Sequence, residues 1–71
     1  MERFLTVDTQ KLRRLRREAA LSQAELAERA GTTQETISRL ECGHHAARGR
    51  TLRKLAEVLG VEVKELIKGE E

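Results

Sequence analysis

An all-α fold, a compact packing of five short helices, is predicted by three features of the sequence. Strong helix formers (Leu, Ala, Glu, Arg, Lys, Gln) dominate it. Apolar residues return at three- and four-residue spacing in successive blocks, the period that lines one face of a helix. Glycines at 31, 43 and 60 stand just past the ends of those blocks, where a left-handed backbone stops a helix. The 71 residues suit one domain. A domain this small buries a low share of its surface, so its links must be tight and its helices must cross at large angles.

Residues 1–8 form an N-terminal arm. Phe4, Leu5 and Val7 favour extended backbone, and three forms stay open: a disordered arm, a short strand, or an apolar flap on the core. Asp8 or Thr9 can cap a first helix running to about Ala20, with Leu12, Leu15 and Ala19 on one stripe. Lys11, Arg13, Arg14 and Arg17 fall off that stripe. Leu21 closes the link. Ser22-Gln23-Ala24-Glu25 has capping-box spacing and opens a second helix, Gln23 to Ala30, with Leu26, Ala27 and Ala30 inward. After Gly31, Thr33 or Thr32 caps a third helix, Gln34 to about Cys42, with Ile37 and Leu40 inward. The segment 43–49, with two glycines and two alanines, reads as a flexible loop. Arg50 or Thr51 begins a fourth helix with Leu52, Leu55, Ala56 and Leu59 inward, stopped by Gly60. Val61 and Val63 lead into a fifth, Lys64 to about Lys68, carrying Leu66 and Ile67. The domain thus spans residues 9–68, and 69–71 form a frayed acidic tail.

Composition excludes several classes. A lone cysteine, Cys42, rules out an internal disulfide framework. No apolar run approaches the roughly 18 residues of a membrane span, and MERFLTVD lacks the apolar centre of a signal peptide, so a cytoplasmic, nucleoid-associated location is expected. The net charge of +2 is modest but unevenly placed. Residues 42–56 hold four basic residues and no acidic ones, whereas residues 57–71 hold two basic and five acidic. A basic belt and an acidic tail fit a polyanion binder with its tail turned away; a solvated surface with chance asymmetry fits equally.

Two amphipathic blocks joined at Gly31, from Ser22 to Gly43, read as a helix-turn-helix. On the third helix Ile37 and Leu40 face inward, which turns Gln34, Glu35, Ser38 and Arg39 outward at about 100° per residue. Those side chains have major-groove chemistry. Gln bonds adenine at two points, Arg bonds guanine likewise, and Glu accepts from the cytosine amino group. Ordinary solvent-facing residues are the alternative. A basic turn, Arg48-Gly49-Arg50, precedes the fourth helix, whose free N–H groups suit a phosphate. Arg48, Arg50 and Thr51 are therefore backbone-contact candidates. Arg48 or Arg50 can also enter a narrow minor groove; a mobile basic loop is the rival reading. His44-His45 lacks metal-ligand spacing and Cys42 lacks a catalytic partner, so no metal, cofactor or catalytic residue is assigned and no enzyme is expected.

LRRLR, LSQAELAERAGTTQETISRLECG and TLRKLAEVLGV together resemble the lambda/434 repressor and Cro family, the Xre-type helix-turn-helix proteins, from about Lys11 to Ile67. QAELA, GTTQ and VLGV are especially similar to the phage 434 repressor DNA-binding domain. The resemblance implies a five-helix domain with its second helix on the phosphate backbone and its third in the major groove. It implies that Gln34 reads a base, that Gln23 contacts phosphate and braces Gln34, and that Arg39 reads a third position. Thr33 becomes a capping residue near phosphate, and Arg16 and Glu41 a buried ion pair tying the first helix to the third. Glu35 departs from the family, standing where the phage 434 member has a second reading glutamine. A carboxylate there repels phosphate and shifts base preference toward cytosine. The proline common before the fourth helix is also missing.

The expected function is sequence-specific binding of double-stranded DNA as a transcriptional regulator, a repressor bound to a near-palindromic operator as a homodimer. Phe4, Val63 and Ile67 are the candidate dimer contacts. A length of 71 residues leaves no room for a separate effector domain, so a restriction–modification controller, a phage-type repressor and an antitoxin with a toxin partner all remain open. A protein-interaction module that keeps the fold without reading DNA is the rival class.

Overall fold

A computed structural model describes residues 4–43 and 46–68. In chain order they form β1 (Phe4–Thr6), α1 (Thr9–Glu18), α2 (Gln23–Ala30), α3 (Gln34–Glu41), β2 (Ala46–Arg48), α4 (Gly49–Leu59) and one 3-10 turn over Val63–Glu65. His44, His45 and the acidic tail from Gly69 lie outside the described residues.

The local signals that set α1 to α3 are realised as side-chain caps. The Asp8 carboxylate accepts from the Lys11 N–H at 3.1 Å. Ser22 Oγ accepts from the Glu25 N–H at 3.0 Å while Glu25 accepts from the Ser22 N–H at 2.8 Å, a complete capping box. Thr33 Oγ1 accepts from the Thr36 N–H at 3.2 Å. Gly31, at φ +72°, ends α2 in the left-handed conformation, and Thr32 N–H returns to Ala27 O at 2.9 Å. α1 stops at Glu18, short of Ala20, because Ala20 itself takes φ +60° and turns the chain. Ala19 consequently sits at the exposed helix end rather than on the core stripe.

The number of helices is corrected. Among the described residues, four α-helices and a single 3-10 turn stand where five helices were expected, because Lys64–Lys68 does not continue as a helix. The turn closes with Leu66 N–H on Val63 O at 2.8 Å. Ile67 then enters an antiparallel bridge with Val7, and Lys68 N–H donates to Thr6 O at 3.0 Å. Five residues give too few internal bonds to repay helix nucleation, and pairing with the N-terminal segment satisfies the backbone instead.

The segment read as a flexible loop is corrected too. Ala46–Arg48 form β2, antiparallel to β1, with Phe4 opposite Arg48, Leu5 opposite Ala47 and Thr6 opposite Ala46. Residues 4–6 thus take the strand among the three open forms. Strand alternation explains the pairing: Ala47 is buried with Leu5 half-buried, and Phe4, Thr6, Ala46 and Arg48 face out. α4 starts at Gly49, one residue before Arg50 and two before Thr51, the two expected starts.

One core joins these pieces. Val7, Leu12, Leu26, Ile37, Leu52, Leu55 and Leu66 are fully buried, so all four helices, the N-terminal segment and the C-terminal turn each contribute. Each such aliphatic side chain stabilises the fold by about 1.5–3 kcal/mol. α2 packs on both α3 and α4, and α1 packs on α3. That packing fixes the outward side of α3.

Candidate nucleic-acid interface

Burial of Ile37, Leu40 and Glu41 orients α3. Gln34, Glu35 and Arg39 are exposed and Ser38 is half-buried, so three of the four reading candidates are open to solvent and Ser38 is partly covered. Glu35 and Arg39 are one turn apart and touch, Arg39 Nη2 to Glu35 Oε2 at 3.4 Å, with the arginine side chain 61% and the glutamate side chain 77% exposed. An exposed i,i+4 pair is worth roughly 0.3–0.5 kcal/mol, so Arg39 can leave it for a base at little cost. The pair also offsets the Glu35 charge in the free protein. The i,i+4 spacing of Glu35 and Arg39 permits this contact.

Behind this face lies the Arg16–Glu41 ion pair. Arg16 Nε meets Glu41 Oε2 at 2.6 Å and Nη2 meets Oε1 at 3.0 Å, a bidentate clasp. Arg16 Nη1 donates further to Leu21 O at 2.7 Å. Only 12% of the arginine side chain and 2% of the glutamate side chain are exposed. One clasp therefore ties α1, the α1–α2 link and the end of α3 together. Burial pushes the Glu41 carboxyl up, but hydrogen bonds from Arg16 and Gln23, with the charges of Arg16 and Arg13, outweigh it and hold the carboxyl below its ordinary value. The Glu41 hydrogen bond raises the Arg16 guanidinium against the opposing effect of burial.

Gln23 has a role that the sequence did not announce. Its amide Nε2 donates to Glu41 Oε1 at 3.0 Å, making it a third member of the buried cluster. The second N–H of that amide can donate to a phosphate while the first stays on Glu41. Thr33 is exposed, its hydroxyl bonded to the Thr36 N–H and 3.0 Å from the Thr36 hydroxyl.

The backbone candidates meet at the start of α4. Arg48 is its N-cap and makes no side-chain cap bond, and the positive end of the helix dipole favours an anion there. A groove of about 370 Å³ between this end and the C-terminal end of α2 is lined by Arg29, Arg48, Arg50, Thr51 and Lys54, with Glu28 its acidic residue. A second groove, of about 440 Å³, runs from Thr36 and Arg39 of α3 to Arg48 and Thr51. The fold thus brings a base-reading candidate and two backbone candidates to one surface.

The dimer candidates are not brought together. Val63 and Ile67 are half-buried against the core. Phe4 is 63% exposed and lines the second groove. Ile67 bridges Val7, three residues along the strand from Phe4 and thus on the order of 10 Å away.

Two short helices joined at a left-handed glycine, the second turning polar side chains outward beside a basic helix start, define a helix-turn-helix unit. A family model described as helix-turn-helix matches residues 12–66. The chain belongs to that family, in its Xre-type, lambda-repressor-like branch of DNA-binding regulators. The HTH-type transcriptional regulator y4dJ of Sinorhizobium fredii, itself uncharacterized, is 44% identical over 54 residues, covering 76% of this chain and 70% of its own. The P22 c2 repressor, solved with a synthetic operator, has a TM-score of 0.80 at 26% identity, covering 87% of this chain and 94% of its own. The restriction–modification controller C.AhdI of Aeromonas hydrophila has a TM-score of 0.78 at 34% identity, covering 83% of this chain and 89% of its own. Among the described residues, no helix is long and apolar enough to cross a membrane.

Proposed function

We propose that this protein is a cytoplasmic repressor that binds a near-palindromic operator in double-stranded DNA as a homodimer, with α3 in the major groove. One observation carries the reading. The outward side of α3 is continuous with the basic start of α4 through the groove lined by Arg39, Arg48 and Thr51. Gln34, Glu35, Ser38 and Arg39 then read bases, with Glu35 accepting from a cytosine amino group once Arg39 has left it. Arg48, Arg50, Thr51 and Thr33 hold phosphates, and Gln23 joins them through the second N–H of its amide. The P22 c2 repressor, solved with a synthetic operator, supports the reading that DNA is the ligand. Val63 and Ile67 supply the dimer contact, placing the two copies of α3 about 34–36 Å apart.

Salt dependence of binding to a labelled duplex tests the reading. Log affinity falls with log salt by roughly 0.9 per phosphate neutralised. Arg48 and Arg50 on two protomers therefore give a slope of about −4. Salt-insensitive affinity would leave the fold as a protein-interaction module, such as an antitoxin held by its toxin. Sedimentation showing a monomer at high concentration, with and without DNA, would remove the dimer.

A further inference from the structure

We infer that Phe4 is a positioning residue for DNA: its ring holds the Arg48 guanidinium where a backbone phosphate of the duplex meets the start of α4. The inference rests on the DNA reading above. Phe4 and Arg48 are directly opposed in the β1–β2 register, and the Arg48 guanidinium carbon lies 5.7 Å from the centre of the Phe4 ring, within cation–π range. Both side chains leave the outer face of the ribbon. Both also line the groove that reaches Thr36 and Arg39 on α3 and Thr51 on α4. The exposed ring therefore lines the same groove as Arg39 of the reading surface.

The strand that carries Phe4 is fastened on two sides. β2 pairs along one edge. On the other, Lys68 N–H donates to Thr6 O at 3.0 Å, Asp8 N–H donates to Leu66 O at 2.8 Å, and Val7 bridges Ile67. The ring is thus delivered by a fixed backbone. An arginine has long, rotamer-rich side-chain freedom that it loses on meeting a phosphate. Holding it over an aromatic face beforehand reduces that loss, as preorganisation does generally, and leaves the planar N–H fork free at its edge for phosphate oxygens.

A double-mutant cycle on binding tests this. Affinities for fluorescein-labelled duplexes of random sequence are measured for the wild type, Phe4→Leu, Phe4→Trp, Arg48→Ala and the Phe4→Leu/Arg48→Ala double variant, with thermal melting alongside. Phe4→Leu keeps an apolar side chain in the strand and removes the π face. Its affinity should fall by about two- to fivefold on every duplex, the strength of an exposed cation–π contact. Phe4→Trp should retain wild-type affinity, and Phe4→Leu should cost nothing more once Arg48 is alanine. The inference is overturned if Phe4→Leu loses nothing, if it loses as much in the Arg48→Ala background, or if Phe4→Trp loses as much as Phe4→Leu. A general folding defect would persist in the Arg48→Ala background, so it counts against the proposal. Absence of any salt-dependent binding by the wild type would instead remove the DNA reading itself.

Discussion

Arg16→Ala should strongly destabilise the fold, because it removes the α1 side of the clasp that holds α3. The wild-type arginine gives Glu41 two hydrogen bonds, at 2.6 and 3.0 Å, and Leu21 O a third at 2.7 Å. Removing it leaves a carboxylate that is 2% exposed with Gln23 as its remaining hydrogen-bond donor among those described. Breaking one side of a buried pair costs about 3–5 kcal/mol, because the surviving charge stays in low dielectric. At ordinary per-residue stability this domain holds on the order of 4–11 kcal/mol, so the loss consumes a large part of the whole. Urea unfolding at neutral pH, followed by helix signal, measures it. The midpoint should fall with little change in slope, since the slope follows the area exposed on unfolding. A loss below about 1 kcal/mol, the scale of an exposed pair, would refute the claim that this clasp is buried and carries α3.

Other outcomes follow from the same geometry. A carboxyl held below its unfolded value contributes fully above that value and loses its contribution as pH falls through the folded one. The lowered Glu41 carboxyl should therefore leave its share of stability flat from neutral pH down to about 4.3, the ordinary glutamate value, and falling below it; Glu41→Gln should flatten part of that acid slope in pH-resolved melting. Ala20→Gly should stabilise the fold by about 0.5–1 kcal/mol, because alanine is strained at φ +60° by about 1–2 kcal/mol while glycine returns part of that as unfolded-chain entropy; a loss in urea unfolding would contradict it. Gln34→Ala and Arg39→Ala should each relax specificity at one base pair, whereas Arg50→Ala should weaken binding to every duplex and flatten the salt slope by about one unit. Equal loss on all sequences for the first two would show the reading side of α3 to be misassigned.

The parts legible from sequence are those set by neighbours a few residues apart. Ser22 and Glu25 meet across one helical turn, Gly31 and Gly60 end their helices at φ +72° and +73°, and the buried face of α3 follows from the spacing of Ile37 and Leu40. What was missed is set by distant partners. Nothing near Ala46 marks it as a strand residue; Thr6, 40 residues earlier, makes it one. Leu66 and Ile67 carry helical spacing, yet the backbone there pairs with Val7 and Thr6. In the candidate site, the Arg16–Glu41 pair came from family resemblance, whereas the engagement of Gln23 with Glu41 is a tertiary contact across 18 residues that no local pattern encodes. The departure of Glu35 from the family was visible. Its contact with Arg39 appears only once the rotamers are known.

The central claim is that the outward side of α3 reads a DNA sequence. Repeated selection of bound duplexes from a random pool, sequenced after each round, tests it most directly. One near-palindromic motif should emerge, with half-sites about one helical turn apart and a cytosine amino group within reach of Glu35. A pool that stays random through successive rounds, with affinity unmoved by salt, would contradict the claim and leave a helix-turn-helix fold with a different partner.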